Sequence, residues 1–213
     1  MDEDETKLTR TKRAWAEQGK FLTGHVAPPT ERLPPGQHRV LDWPVLDLGT
    51  QPNVPLDAWR LRVFGMVRDA VTLDWTAFQA LPQAEQTSDM HCVTTWSRFD
   101  NTWRGVPTTA LLDLVQPAEA AKFVILHSDD GYTTNLPLAD FAAPSAMLAT
   151  HWQGEPIPRQ HGGPVRVLVP HLYLWKSAKW VQKVEFSPVD KPGYWEVRGY
   201  HMRGDPWAEE RYG

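Results

Sequence analysis

The chain contains one cysteine, Cys92, in the run Asp89-Met90-His91-Cys92-Val93-Thr94-Thr95-Trp96-Ser97-Arg98. Free cysteines are among the most buried residue types, and one reading makes Cys92 a small core hydrophobe. The other makes it a thiolate, either a nucleophile or a soft ligand for a transition metal, held where a strand runs into a polar loop. His91 and Arg98 would favour the ionised sulfur. A second group is Arg159-Gln160-His161-Gly162-Gly163-Pro164-Val165-Arg166. Its Gly-Gly-Pro turn lets backbone N–H groups approach a ligand, and Arg166 is a natural bidentate partner for phosphate. The plainer alternative is a tight turn followed by a solvent-facing arginine. A third group is Trp175-Lys176-Ser177-Ala178-Lys179-Trp180. It offers backbone donors, a hydroxyl and two ammonium groups to one anion, or else forms a solvated face.

Other chemistries find little support. One cysteine excludes an internal disulfide and any multi-cysteine zinc or iron–sulfur site. The eight histidines include no His-Glu-x-x-His, and the chain has no GxGxxG, P-loop or GxSxG motif. With 22 basic and 26 acidic residues the net charge is −4, so no nucleic-acid footprint is present. No run approaches the roughly 18 apolar residues of a membrane span. The start, MDEDETKLTRTKRAW, lacks the apolar core of a secretory signal, so the expected location is the cytoplasm. Eleven tryptophans supply core and candidate walls for flat organic ligands.

The elements that position these groups follow from pattern. At 213 residues, 41% hydrophobic and 23% charged, the chain has globular composition, and 19 prolines with 14 glycines favour a loop-rich α+β design. Residues 1–40 read as an N-terminal arm and Pro-rich strap, 41–190 as the body, and 191–213 as an aromatic tail packed on it. Trp43-Pro44-Val45-Leu46-Asp47-Leu48 would anchor the strap. Leu61 and Val63 alternate with Arg60 and Arg62, which predicts a strand, with a second over Val71 to Leu73. Asp74 caps a short helix ending before Pro82. Asp89 to Val93 reads as a strand, Thr94 to Arg104 as a polar loop, and Thr108 to Val115 as a helix. Further strands are expected over Lys122–Leu126, Tyr132–Leu136 across the Asp130-Gly131 turn, Ala146–Trp152, Val165–Val169 and Trp180–Phe186.

In order, these pieces resemble the sulfite oxidase-like molybdopterin oxidoreductases, and among them the branch containing bacterial methionine-sulfoxide-reductase catalytic subunits. The carriers are Cys92-Val93-Thr94-Thr95-Trp96-Ser97, then Trp103-Arg104-Gly105-Val106-Pro107 before a leucine-rich helix. His161-Gly162-Gly163-Pro164-Val165-Arg166 and Val169-Pro170-His171-Leu172-Tyr173-Leu174-Trp175-Lys176-Ser177-Ala178-Lys179 follow. The resemblance covers about residues 40 to 187. It implies an α+β, sulfite oxidase-type molybdopterin-binding domain over 41–190, with mixed sheets, barrel-like, wrapped by long loops.

The same resemblance implies molybdenum held by molybdopterin, in its form without a nucleotide, and oxygen-atom transfer on a small oxyanion, S-oxide or N-oxide. Cys92 would be the thiolate ligand of molybdenum. Arg166, Lys176, Ser177 and Lys179 would hold the phosphate and pterin edge. His161 stands where relatives have Asn, Ser128 replaces a threonine hydroxyl, and Trp43 to Gly49 echoes a further cofactor-contacting stretch. Trp96, Arg98, His171 and Tyr173 would wall the pocket or orient substrate. Two electrons would pass through an external carrier, a haem or flavin protein. The sulfite-binding arginine cluster of true sulfite oxidases is reduced here to Arg98 and Arg104. The competing expectation is a non-catalytic binding module of the same fold with Cys92 buried and inert.

Overall fold

Two sheets organise residues 32–213, the part of the chain that the computed structural model describes; the expected arm and the prolines at 28 and 29 lie outside it. The first strand, β1 (His38–Arg39), belongs to the strap. β2 (Arg60–Gly65) follows, burying Leu61 and Val63 completely while Arg60 and Arg62 face water. It pairs antiparallel with β3 (Val71–Asp74). The Asp74 carboxylate then accepts from the Ala77 N–H at 2.8 Å and starts α1 (Trp75–Gln79), the cap read from sequence.

β4 (Ala84–His91) and β5 (Trp96–Pro107) form a hairpin whose turn holds Cys92. The stretch Thr94 to Arg104, expected as a loop, is mostly strand. Polar residues suggested solvent, but Asn101, Trp103 and Gly105 point inward and alternate with exposed Thr102 and Arg104. Neighbours on both edges of β5 satisfy its backbone, which a sequence window does not reveal. α2 (Thr108–Val115) then buries Leu111 and Val115.

β6 (Phe123–Ser128) and β7 (Thr133–Pro137) pair across the Asp130-Gly131 turn, and α3 (Leu138–Phe141) leads to β8 (Met147–Trp152) and β9 (Glu155–Pro156). β10 (Arg166–Leu168) and β11 (Val181–Ser187) complete the strands. One sheet runs β1-β5-β8-β10 with β4 on β5 and β9 on β8; the other runs β3-β2-β11-β6-β7. Most neighbours are antiparallel, but β1 on β5 and β11 on β2 are parallel, so both sheets are mixed. Among the described residues neither sheet closes on itself, which corrects the barrel-like expectation to two open sheets.

One apolar cluster joins the sheets, taking Trp103, Leu148 and Val167 from the first and Leu61, Val124 and Val184 from the second. Gly105 lets β5 and β8 approach: a Cβ there would lie 2.2 Å from the Leu148 carbonyl oxygen. Among the described residues no helix is long and apolar enough to cross a membrane.

Candidate functional site

Four loops and the tail converge beside the start of β5. The Cys92 turn is closed by the Cys92 N–H donating to the Trp96 carbonyl at 2.8 Å and the Thr95 N–H donating to the Cys92 carbonyl at 3.0 Å. Thr95 takes a left-handed φ of 74° to complete it. Facing the turn is the loop before β10, where Gly162 has φ 103° and a Cβ would lie 2.8 Å from that of Lys179. Only glycine combines that backbone with so close an approach. The loop ahead of β11 contributes Trp175, Ser177, Lys179 and Trp180, the strap contributes Trp43 to Leu48, and the tail contributes Trp195 and Tyr200.

Between them lies a cleft of about 110 Å³, partly open to solvent and larger than an ion alone needs. Cys92, Trp96, Arg166, Ser177 and Lys179 all line it, so residues 87 positions apart in sequence meet in one cavity. The Cys92 thiol lies 3.2 Å from the Thr94 hydroxyl.

Arg166 defines the electrostatics. It is 2% exposed, yet no carboxylate among the described residues pairs with it. Its guanidinium donates to the carbonyls of His161 at 2.8 Å and Ser177 at 3.0 Å and lies over the Trp43 ring. Burial pushes its pKa down to about 10. Burying a cation without a counter-ion is costly, and an anion reaching its free donor would offset that cost through a charge-assisted hydrogen bond. Arg166 Nε and Trp96 Nε1 are buried without any hydrogen-bond partner, two donors of cleft residues awaiting acceptors. The Ser177 hydroxyl oxygen accepts from the Val169 N–H at 2.9 Å, and the Lys179 ammonium donates to the carbonyls of Leu46 and Gln160 at 2.7 Å each, tying the strap to the glycine loop.

The remaining residues expected at the site stand elsewhere. His161 stacks on Trp43 behind the cleft wall, with Nδ1 unpartnered; burial, then Arg166 and Lys179, push its pKa to about 4. Ser128 ends β6 with its buried hydroxyl unpartnered. Tyr173 is fully buried, stacked on Trp175, and burial raises its pKa to about 12. Arg98 donates to the Leu41 carbonyl at 2.9 Å and to Asn101, holding the strap. His171 hydrogen-bonds the Asp140 carboxylate at 2.9 Å on a partly exposed face. Lys176 is buried and spends its ammonium on Glu196 at 2.6 Å and on the Asn135 backbone and side-chain oxygens at 2.9 Å each. None of these six is among the residues lining the cleft.

Sequence reasoning passed over Trp195 and Tyr200, because the tail has no periodicity to mark an inward face. Asp130, a turn former by its sequence, also lines the cleft, and burial raises the pKa of its carboxyl.

Two open mixed sheets thus carry a cleft in which a single thiol meets a buried guanidinium. The chain belongs to the family described as oxidoreductase molybdopterin binding domain, whose model matches residues 48–195. It is 44% identical over 182 residues to the uncharacterized oxidoreductase YuiH of Bacillus subtilis (strain 168), covering 85% of this chain and 92% of that one. It is 34% identical over 154 residues, 71% of this chain and 58% of the relative, to the putative protein-methionine-sulfoxide reductase subunit YedZ1 of Azospira oryzae. The catalytic subunit MsrP of a protein-methionine-sulfoxide reductase from Burkholderia mallei is 31% identical over 155 residues, 65% and 46% of the two chains. The chain thus spans about half the length of these two reductase relatives. Among solved structures, sulfane dehydrogenase SoxCD from Paracoccus pantotrophus superposes with a TM-score of 0.64 at 16% identity, over 75% of this chain and 47% of that one, a likeness of fold.

The cofactor of this family is molybdopterin carrying molybdenum, and the residues present fit it. Cys92 would supply a soft sulfur donor, while Arg166, buried in the same cleft with its Nε unpartnered, would offer a phosphate a cation and a free donor.

Proposed function

We propose that the chain is a molybdopterin-dependent oxidoreductase that moves an oxygen atom at a small, uncharged S-oxide or N-oxide. The observation that carries this reading is the buried, carboxylate-free guanidinium of Arg166 in the same cleft as the only thiol. Cys92 is the metal ligand. Arg166, Ser177 and Lys179 hold the phosphate end, the first by charge-assisted hydrogen bonds through its fork of donors.

The bound metal supplies two-electron redox chemistry and exchange of an oxygen atom. Everything else falls to the protein. An S-oxide or N-oxide gives up its oxygen with two electrons and two protons, leaving sulfide or amine and water. The electrons come from an external haem or flavin protein; two relatives are themselves named as subunits, which supports a separate carrier. Trp96, Trp175, Trp195 and Tyr200 form apolar walls that exclude water and orient the substrate. Both cations that line the cleft among the described residues, Arg166 and Lys179, serve the phosphate end, so none of these is left for an oxyanion. This favours an uncharged oxide over sulfite-like anions.

The test is metal and pterin analysis of protein from a molybdenum-competent host, with Cys92→Ala beside it. Stoichiometric molybdenum that is lost in Cys92→Ala, together with turnover of an S-oxide or N-oxide, supports the reading. A metal-free preparation with a slowly reacting thiol would leave a non-catalytic binding module.

A further inference from the structure

The turn that presents Cys92 is held by side chains from the two ends of the described chain. The Gln37 amide donates to the Cys92 carbonyl at 3.0 Å, and the Arg211 guanidinium donates to the next carbonyl, that of Val93, at 3.0 Å. Both holders are buried, at 1% and 4% exposure. Gln37 is itself fixed, because its oxygen accepts from the Ser97 hydroxyl at 3.2 Å, which lies 2.8 Å from His91 Nδ1. The second nitrogen of Arg211 donates to the Pro35 carbonyl at 3.0 Å, and the guanidinium lies over the Tyr173 ring at 5.1 Å. The brace is therefore closed: the strap around residues 35–37, the tail at 211 and the hairpin turn lock one another. Gln37 and Arg211 both fall outside the stretch 48–195 that carries the family pattern.

We infer that Gln37 and Arg211 are positioning residues that fix the direction of the Cys92 sulfur by clamping two successive carbonyls of its turn. The turn's own two backbone hydrogen bonds and the His38 N–H, which donates to the Thr95 carbonyl at 2.8 Å, leave the Val93 carbonyl without a backbone partner of its own among the described residues. Two further bonds to consecutive peptide units fix the backbone on either side of Val93, and with it the direction of the Cys92 Cα–Cβ bond from which Sγ projects. Arg211 suits the task because its rigid fork reaches Val93 and Pro35 together, which a lysine ammonium on a flexible stem does not reproduce.

This inference rests on Cys92 being the metal ligand, so the experiment separates the two. Full-length wild type, Cys92→Ser, Gln37→Met and Arg211→Lys are prepared loaded and metal-free, with Ser97→Ala as a milder variant should Gln37→Met fail to fold. The loaded proteins are read for molybdenum content and the visible sulfur-to-metal absorption band, the metal-free ones for the rate of Cys92 alkylation by iodoacetamide. Expected are loss of the band in Cys92→Ser, a shifted or broadened band at unchanged metal content in Gln37→Met and Arg211→Lys, and alkylation about fivefold faster in both, the effect of one lost hydrogen bond. If Cys92→Ser loses the band while the brace variants match wild type in band and alkylation, the brace is wrong and the ligand assignment stands. If Cys92→Ser keeps the band, the ligand assignment fails. The alkylation rates then decide the brace alone: faster supports it, unchanged overturns it.

Discussion

The indole of Trp43 lies flat on the imidazole of His161, with ring centroids 3.9 Å apart and planes within 6°. This stack closes the strap against the glycine loop, and Arg166 packs over the other partner of the pair, Trp43. One wall of the cleft thus depends on an uncharged histidine.

The pH dependence follows from that stack. Burial, reinforced by Arg166 and Lys179, holds His161 at about 4 in the folded protein, against about 6.5 in an unfolded chain. Between those values the unfolded state binds the extra proton, so stability falls as pH drops from 6.5 to 4 and levels off below. His91, lowered to about 4 mainly by its own burial, contributes in the same window. We expect His161→Phe to keep the ring contact and to reduce, without abolishing, the slope of denaturant midpoint against pH over that interval. An unchanged slope would show that His161 titrates normally.

Cys92→Ala should leave the fold within about 1 kcal/mol of wild type, since it removes one small side chain at the edge of the cleft. Molybdenum content should fall to background. Elemental analysis beside thermal melts separates loss of the ligand from loss of the fold.

Arg166→Met tests the anion site. Cofactor at a hundredfold excess over its Kd stabilises a folded protein by about 2.7 kcal/mol. Wild type should show a gain of that order between metal-free and loaded forms. The variant should lose most of it together with its pterin content, because methionine offers the phosphate neither charge nor donor. Equal gains in both proteins would place the phosphate elsewhere.

The Lys176–Glu196 pair lies fully buried, and the same carboxylate oxygen also accepts from Trp175 Nε1 and the Thr134 hydroxyl, each at 3.0 Å. Glu196→Ala leaves a buried ammonium without its counter-ion and should cost roughly 3–5 kcal/mol in chemical denaturation. The double variant Lys176→Met with Glu196→Leu should recover much of that. If the double variant is no better than the single, packing rather than charge carries the effect.

Sequence alone determined the elements with local causes: the Asp74 cap, the alternating β2 strand, the helix over Thr108–Val115 and the hairpin at Asp130-Gly131 each rest on neighbours a few residues apart. It also carried the ordered motifs from Cys92 to Lys179 that mark the family, because a soft thiol, a glycine turn and an arginine have few chemical uses in that order. Tertiary structure decided what depends on distant partners. Thr94–Arg104 became a strand because β4, β1 and β8 supply its hydrogen bonds. Lys176 turned from the cleft to Glu196, and Trp195 and Tyr200 became cleft walls, because the tail folds back over the loop before β11. Burial and counter-charge are properties of a residue's surroundings, and nothing in a linear run of side chains states which of its lysines or arginines will be buried beside a carboxylate and which, like Arg166, will be left without one.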